Sequence, residues 1–295
     1  MSSTRQILNR KRAAENISKV THTMETISAV KYRQHYGAWQ QGRDFYDALA
    51  RLAYLMLIAE HTINHPLLTE NKSDTRALIV IASDRGLCGS HNTGIFRLID
   101  THINLARRFG RKLKVYAKGN RVINYLNGRG VPIAEKYTDF DEIPSPEQAR
   151  RIGADFSQQY IDGQIGALSV AYTRFFSPAS QHPQTLSVFP VAELIDDLTT
   201  RATVIWPWEL EFEDFIVSPS PEKLFGEIVK MIVNTVLSEC FLEAALSEHL
   251  ERVVAMRSAT DNANEMIEDL SMDYNRARQG KITSDLLDII GGTFG

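Results

Sequence analysis

From Pro221 to Phe294 the chain contains no proline after its first residue, and only Gly226 and Gly280 interrupt it before Gly291 and Gly292. Nothing in that stretch obliges a helix to stop. Val253, Met256, Thr260, Ala263, Ile267, Leu270, Tyr274 and Ala277 alternate steps of three and four. That is the seam of a coiled coil, narrower than the apolar face of an ordinary globular helix. A helix from Glu222 to about Asp288 would span on the order of 100 Å and would have to project out of any fold that this chain can build. The N-terminal stretch repeats the signature. Ser3 to about Glu60 lacks proline, and Ile17, Val20, Met24 and Ile27 keep the same spacing before Gly37 and Gly42 loosen it. The economical arrangement winds the two ends around each other antiparallel, with the middle folding separately.

The middle reads differently. Ala77 to Ala82 (ALIVIA) is a short apolar run rich in branched residues, the pattern of a strand buried on both faces. It runs into Ser83 to Ser90 (SDRGLCGS), followed by a helical pattern from about Asn92 to Phe109. Leu113 to Ala117, Ala167 to Tyr172 and Gln184 to Phe189 read as further strands. Helices are predicted from Asn120 to Leu126 and from about Glu147 to Asp162, the latter started by Ser145 or Pro146. Alternating strands and helices predict an α/β domain of Rossmann-like type with a mostly parallel sheet. Pro190 to Pro221 reads as a connector, with Val204 to Trp208 an aromatic knuckle. The division expected is 1–65 for the first coiled-coil helix, 75–200 for the α/β domain, 201–221 for the connector or foot, and 222–295 for the second coiled-coil helix.

Composition narrows the function. A net charge of −3 argues against a general nucleic-acid binder. Through Arg43, however, eight Lys and Arg (Arg5, Arg10, Lys11, Arg12, Lys19, Lys31, Arg33, Arg43) stand against Glu15 and Glu25, a basic end that could meet an acidic partner. The polar opening lacks the apolar core of a signal peptide, and no run of about eighteen uncharged apolar residues occurs. A soluble, cytosolic protein is expected, one able to work beside a membrane. Cys88 and Cys240 lie in different predicted elements, which argues against a disulfide.

Candidate chemistry is sparse. Gly86 and Gly89 after a strand suggest a phosphate-cradling turn, but neither G-x-x-x-x-G-K-[ST] nor G-x-G-x-x-G occurs in the chain. His61 and His65 have the one-turn spacing of a metal pair without a third plausible ligand, and Cys88 has no convincing base. No catalytic residue, cofactor or metal is therefore expected. An α/β nucleotide-binding enzyme with helical arms and a static coiled-coil scaffold are the alternative classes that share parts of this pattern.

Three stretches together resemble a known family. They are Asn16 to Glu25 (NISKVTHTME), Ser83 to Gly89 (SDRGLCG), and Arg252 to Ala263 (RVVAMRSATDNA) continuing through Tyr274 to Thr283 (YNRARQGKIT) to Ile289-Ile290-Gly291-Gly292. In order and spacing they are similar to the gamma subunit of F-type rotary ATP synthases, over essentially the whole chain. The resemblance implies a non-catalytic rotor shaft inside a ring of alpha and beta subunits. Its foot would stand near the epsilon subunit on the membrane c-ring, and proton or sodium flow would turn ring and shaft together. By family match, Met24, Arg278, Gln279 and Thr283 are expected to meet loops of the beta subunits, and Arg252 to add to torque transmission. Ile289 and Ile290 would turn in an apolar collar, while Trp206 would contact the rotor ring or the epsilon subunit. The place implied is the cytoplasmic face of a bacterial inner membrane, held peripherally.

Overall fold

The computed structural model describes residues 4–58, 65–201 and 220–292. The chain divides into two compact units, one formed by Met1–Val30 with Glu251–Gly295, the other by Lys31–Leu250. Helix α1 is Thr4–Ile58. It is followed by β1 (Thr75–Ile81), α2 (His91–Arg108), β2 (Lys112–Lys118), α3 (Asn120–Gly128), β3 (Ile133–Tyr137), α4 (Pro146–Ile161), β4 (Ala167–Ser177), β5 (Ser180–Phe189), α5 (Val191–Arg201) and α6 (Pro221–Gly292).

The second unit is built on a five-stranded sheet in the order β3-β2-β1-β4-β5. The pairs from β3 to β4 are parallel, and β5 folds back antiparallel on β4. This is the Rossmann-like α/β arrangement that the alternating pattern predicts. Strand β1 shows why its sequence is almost wholly apolar. Ala77, Ile79 and Ile81 join a core with Phe156 and Tyr160 of α4 and Phe225, Val229, Val233 and Phe241 of α6. Leu78 and Val80 face the opposite way, into a second core with Ile95 and Ile99 of α2 and Val122 and Leu126 of α3. Each fully buried side chain of this size contributes about 1.5–3 kcal/mol, so both faces of the sheet are sealed by helices.

Two elements differ from expectation. The connector stretch begins with α5, whose Val191, Leu194 and Ile195 are buried in the first core. An edge strand, β3, has the sequence IAEKY with three consecutive exposed residues, so its apolar alternation is too weak to register. The expected start of α4 is present as a capping box: Ser145 Oγ accepts from Gln148 N while Gln148 Oε1 accepts from Ser145 N. Cys88 and Cys240 are both buried and are not joined in a disulfide. No helix among the described residues is long and apolar enough to cross a membrane.

One histidine of this unit gives a pH prediction. His102 of α2 lies 3.0 Å from Thr185 Oγ1 of β5, and burial pushes its pKa below the usual 6.5. The unfolded chain then takes up its proton at a higher pH than the folded chain. Stability should therefore fall as pH drops below about 6.5 and on through the lower folded value. His102→Gln keeps a polar tip near Thr185 and removes the titration. Urea midpoints at about pH 7.5 and about pH 5.5 should differ less in the variant than in the parent.

Candidate interaction surface

In the first unit α1 and α6 run antiparallel, with cross-helix pairs that climb one helix as they descend the other. Ser18 Oγ donates to Asn264 Oδ1 at 2.8 Å, the Thr21 and Thr260 hydroxyls meet at 2.6 Å, and Arg257 Nε donates to Glu25 at 2.9 Å. The C-terminal seam lies where its spacing puts it. Met256, Thr260, Ala263 and Leu270 are buried, and Val253, Ile267, Tyr274 and Ala277 are half-buried.

The N-terminal seam requires a correction. Ile17, Val20 and Ile27 stand 54%, 58% and 58% exposed, and Met24 is half-buried. The buried positions are instead Ile7, Ala14, Thr21 and Ser28, a strict step of seven. Small side chains at the contact let the two backbones approach closely, so this seam is chosen by size and not by hydrophobicity. The larger apolar residues are displaced about a quarter of a turn around α1 from it.

The outward surface is therefore uneven. Ile17, Val20, Ile27 and Val30 form an exposed apolar stripe on α1; on α6, Val254, Met266, Met272, Ile282, Leu286 and Leu287 are exposed. Arg5, Arg10, Arg12 and Lys19 project from α1, whereas α6 carries exposed Asp261, Glu265, Glu268, Asp269 and Asp273 with no Lys or Arg between Arg257 and Arg276. Continued along the same register, the acidic run comes alongside the basic end of α1, so part of the acidic counterpart to that end lies within the chain itself. Of the expected contact residues, Arg278, Gln279 and Thr283 are exposed, and the Thr283 hydroxyl donates to Gln279 O at 3.0 Å. Arg252 is buried. Ile289 and Ile290 belong to the last turns of α6, and Trp206 lies outside the described residues.

The turn after β1 fills itself from within. Asn92 Nδ2 donates to Ser83 Oγ at 2.7 Å, Ser83 N donates to Asn92 Oδ1, and the Ser83 hydroxyl donates to Arg85 O at 2.6 Å. Leu87 and Gly89 take left-handed conformations within it, with φ of 64° and 55°. A cavity of about 420 Å³ opens beside the turn, lined by Asp84, Lys118, Asn120, Tyr137, Asp139 and Asp141 among others. Lys118 Nζ is 3.3 Å from Asp84 Oδ2, so the cation facing this space is matched by a carboxylate, with two more acids nearby. The turn connects β1 to α2 with much of its hydrogen bonding met from within.

Sequence reasoning missed one polar cluster. His35 of α1, Glu142 of the loop before α4 and His249 of α6 converge within the second unit. His35 Nε2 lies 2.9 Å and Lys31 Nζ 3.3 Å from Glu142 Oε2, and His249 Nε2 lies 3.1 Å from Oε1. Burial pushes the Glu142 carboxyl up, yet His249, His35 and Lys31 outweigh it and hold the group far below the usual carboxylate range. More than a hundred residues separate Glu142 from either histidine, so no local motif announces the cluster. The His61 and His65 pair gains nothing comparable: His65 Nδ1 accepts from Leu67 N, and His61 lies outside the described residues.

Comparison with known proteins adds the following. The family model described as ATP synthase matches residues 3–294. An ATP synthase gamma chain of Rhodopirellula baltica is 33% identical over 293 residues, covering 99% of this chain and 98% of that one. One from Lachnoclostridium phytofermentans is 32% identical over 301 residues, with 99% and 98% covered. Among solved structures, a chain of the Euglena gracilis mitochondrial ATP synthase (OSCP/F1/c-ring, rotational state 3) has a TM-score of 0.63 at 14% identity, covering 99% of this chain and 93% of that one. A chain of the Tetrahymena thermophila central stalk/c-ring structure has a TM-score of 0.57 at 19% identity, covering 81% and 99%. At these identities the two structures speak for a shared fold.

Proposed function

The chain belongs to the ATP synthase gamma-chain family and is a non-catalytic subunit, and from that premise we propose that it is the central rotor shaft of an F-type ATP synthase. In this reading it couples ion flow through a membrane c-ring to ATP synthesis or hydrolysis at the beta subunits. The observation that carries the proposal is the exposed apolar stripe on α1, standing beside a seam that is already closed without it. Isolated apolar side chains on a surface are ordinary, but a stripe at helical spacing on one side of a paired helix suits a partner surface. The two helices present different chemistry outward, apolar and basic on α1, acidic and then basic on α6. A shaft with such a surface has a different contact free energy at each rotational position, and only differential interaction can bias three otherwise equal sites.

Within this proposal Met24, Arg278, Gln279 and Thr283 meet loops of the beta subunits, and Arg252, being buried, acts by holding its helix under load. Ile289 and Ile290 occupy the collar at the far end of the shaft. Trp206 belongs to the foot beside the c-ring and the epsilon subunit. The complex sits on the cytoplasmic face of a bacterial membrane, to which this chain is bound only peripherally.

Co-purification tests the core of the proposal. A tagged chain should recover alpha and beta subunits from its native cell, and recovery of neither would end the rotor reading. A static scaffold is separated from a rotor by turnover. Replacing Arg278 and Gln279 together by Ala alters two exposed positions and should change folding stability by less than about 0.5 kcal/mol. ATP turnover of the assembled complex should nevertheless drop about tenfold, the equivalent of ~1.4 kcal/mol of lost coupling free energy. Unchanged coupled turnover would remove both residues from the contact set.

A further inference from the structure

We propose that His35, Glu142 and His249 form a binding site for one divalent transition-metal ion of the zinc class. Two imidazoles and one carboxylate make up a donor set that zinc uses with a water in the fourth position. Their ligand atoms all lie within 4.8 Å of one another. A tetrahedral ion with bonds of about 2.1 Å places its donors roughly 3.4 Å apart, so the cluster needs only a small contraction around the ion. The imidazole rings of His35 and His249 are 5.5 Å apart between centroids, which leaves space between them for a single atom bonded to both.

A second observation concerns His249 alone. The residue is 5% exposed, and neither of its ring nitrogens has a hydrogen bond. Its Nε2 lies 3.1 Å from Glu142 Oε1. A buried imidazole normally satisfies at least one nitrogen. Here a nitrogen faces an ionised carboxylate and a second imidazole, which is the surrounding that a cation completes. Glu142 supplies the carboxylate of the set. Its two oxygens have separate tasks: Oε1 faces His249, while Oε2 contacts His35 and Lys31. Lys31 is the competitor. It occupies the position of a positive charge beside the carboxylate, but its side chain is 38% exposed and can swing into solvent when an ion enters. Nitrogen-rich donors favour zinc, copper, nickel or cobalt over magnesium and calcium, which prefer oxygen. Once bound, the ion would tie α1, α6 and the loop before α4 together.

The test uses the full chain, stripped with chelator and titrated with Zn²⁺ or Mg²⁺ in a calorimeter, with Co²⁺ as a spectroscopic probe. One equivalent of Zn²⁺ should bind with no matching uptake of Mg²⁺, and Co²⁺ should give the intense visible bands of a four-coordinate site. Zn²⁺ at a hundred times its Kd should bias folding toward the native state about a hundredfold, read as a rise in Tm. Glu142→Gln and His249→Gln should each weaken Zn²⁺ binding by about a hundredfold or more, since even outer partners of metal ligands are worth 10–100-fold. Lys31→Met, a change at a half-buried position that keeps every ligand, should tighten binding several-fold and keeps the proposal testable should the ligand variants fail to fold. No saturable Zn²⁺ uptake, equal uptake of Mg²⁺, or affinity indifferent to all three substitutions would overturn the site.

Discussion

Replacing Ile17, Val20 and Ile27 together by Ser is expected to leave the isolated chain folded while releasing it from the complex. All three side chains are more than half exposed, so little buried area is lost within the chain. Ser and Ile have nearly the same intrinsic helix propensity, so α1 itself is not weakened. In a ring of partner subunits the same side chains would lose their remaining exposure. At half of a full burial contribution each, they supply about 1 kcal/mol apiece, or ~3 kcal/mol together. That corresponds to retention weakened by roughly a hundredfold. Gel filtration of the reconstituted complex measures retention, and helical circular dichroism of the free chain monitors folding. Full retention of the triple variant would mean that the stripe touches nothing, and the carrying observation of the rotor proposal would be lost.

Gly119→Ala should be the most damaging single methyl in the second unit. Gly119 follows β2 directly and has φ 103° and ψ 134°, a conformation open in practice only to glycine. A Cβ there would fall well inside contact distance of the Ala82 carbonyl, which is backbone and cannot turn aside. The approach exists because Ala82 N donates to Lys118 O and Arg121 N donates to Ser83 O, lacing the ends of β1 and β2 together. Conformational strain of about 1–3 kcal/mol combines with the collision, giving a loss of roughly 3–5 kcal/mol from a domain stability of ordinary size. Gly128, at the end of α3, is the control: a Cβ there meets nothing within 4 Å and no positive φ opposes it. Gly128→Ala should therefore be neutral or stabilising by up to about 1 kcal/mol. Urea midpoints of the two variants decide, and equal midpoints would refute the backbone argument.

What could be read from the chain followed from how local each signal is. The ALIVIA run gave β1 because a strand sealed on both sides must be apolar at every position, and the structure seals it with two cores. The proline-free C-terminal stretch is one helix from Pro221 to Gly292, and its three-four seam is buried at Met256, Thr260, Ala263 and Leu270 and half-buried at the other four positions. At α1 the same reasoning selected the wrong stripe. It follows hydrophobicity, whereas Ala14, Thr21 and Ser28 are selected by smallness. The first half of α6 was legible as helix but not as part of the sheet's core, although Phe225, Val229, Ile232, Val236 and Cys240 fall at ordinary globular spacing. Edge strand β3 escaped because exposed charges dominate it. The His35, Glu142 and His249 cluster escaped for a different reason: its members come from α1, a loop and α6, and only the folded chain puts them together.

The hydroxyl pair at Thr21 and Thr260 has a mechanical corollary. Thr260 can also donate to Met256 O, and Thr21 to Ile17 O, so each hydroxyl keeps a fallback and the contact between them is worth about 1 kcal/mol at most. What resists sliding is therefore shape: a slip of three or four residues, about 5–6 Å along the axis, would bring Ile17 or Met24 to the positions that Ala14, Thr21 and Ser28 now fill. The pair is thereby keyed against sliding, and a torque applied to it would be taken up as twist.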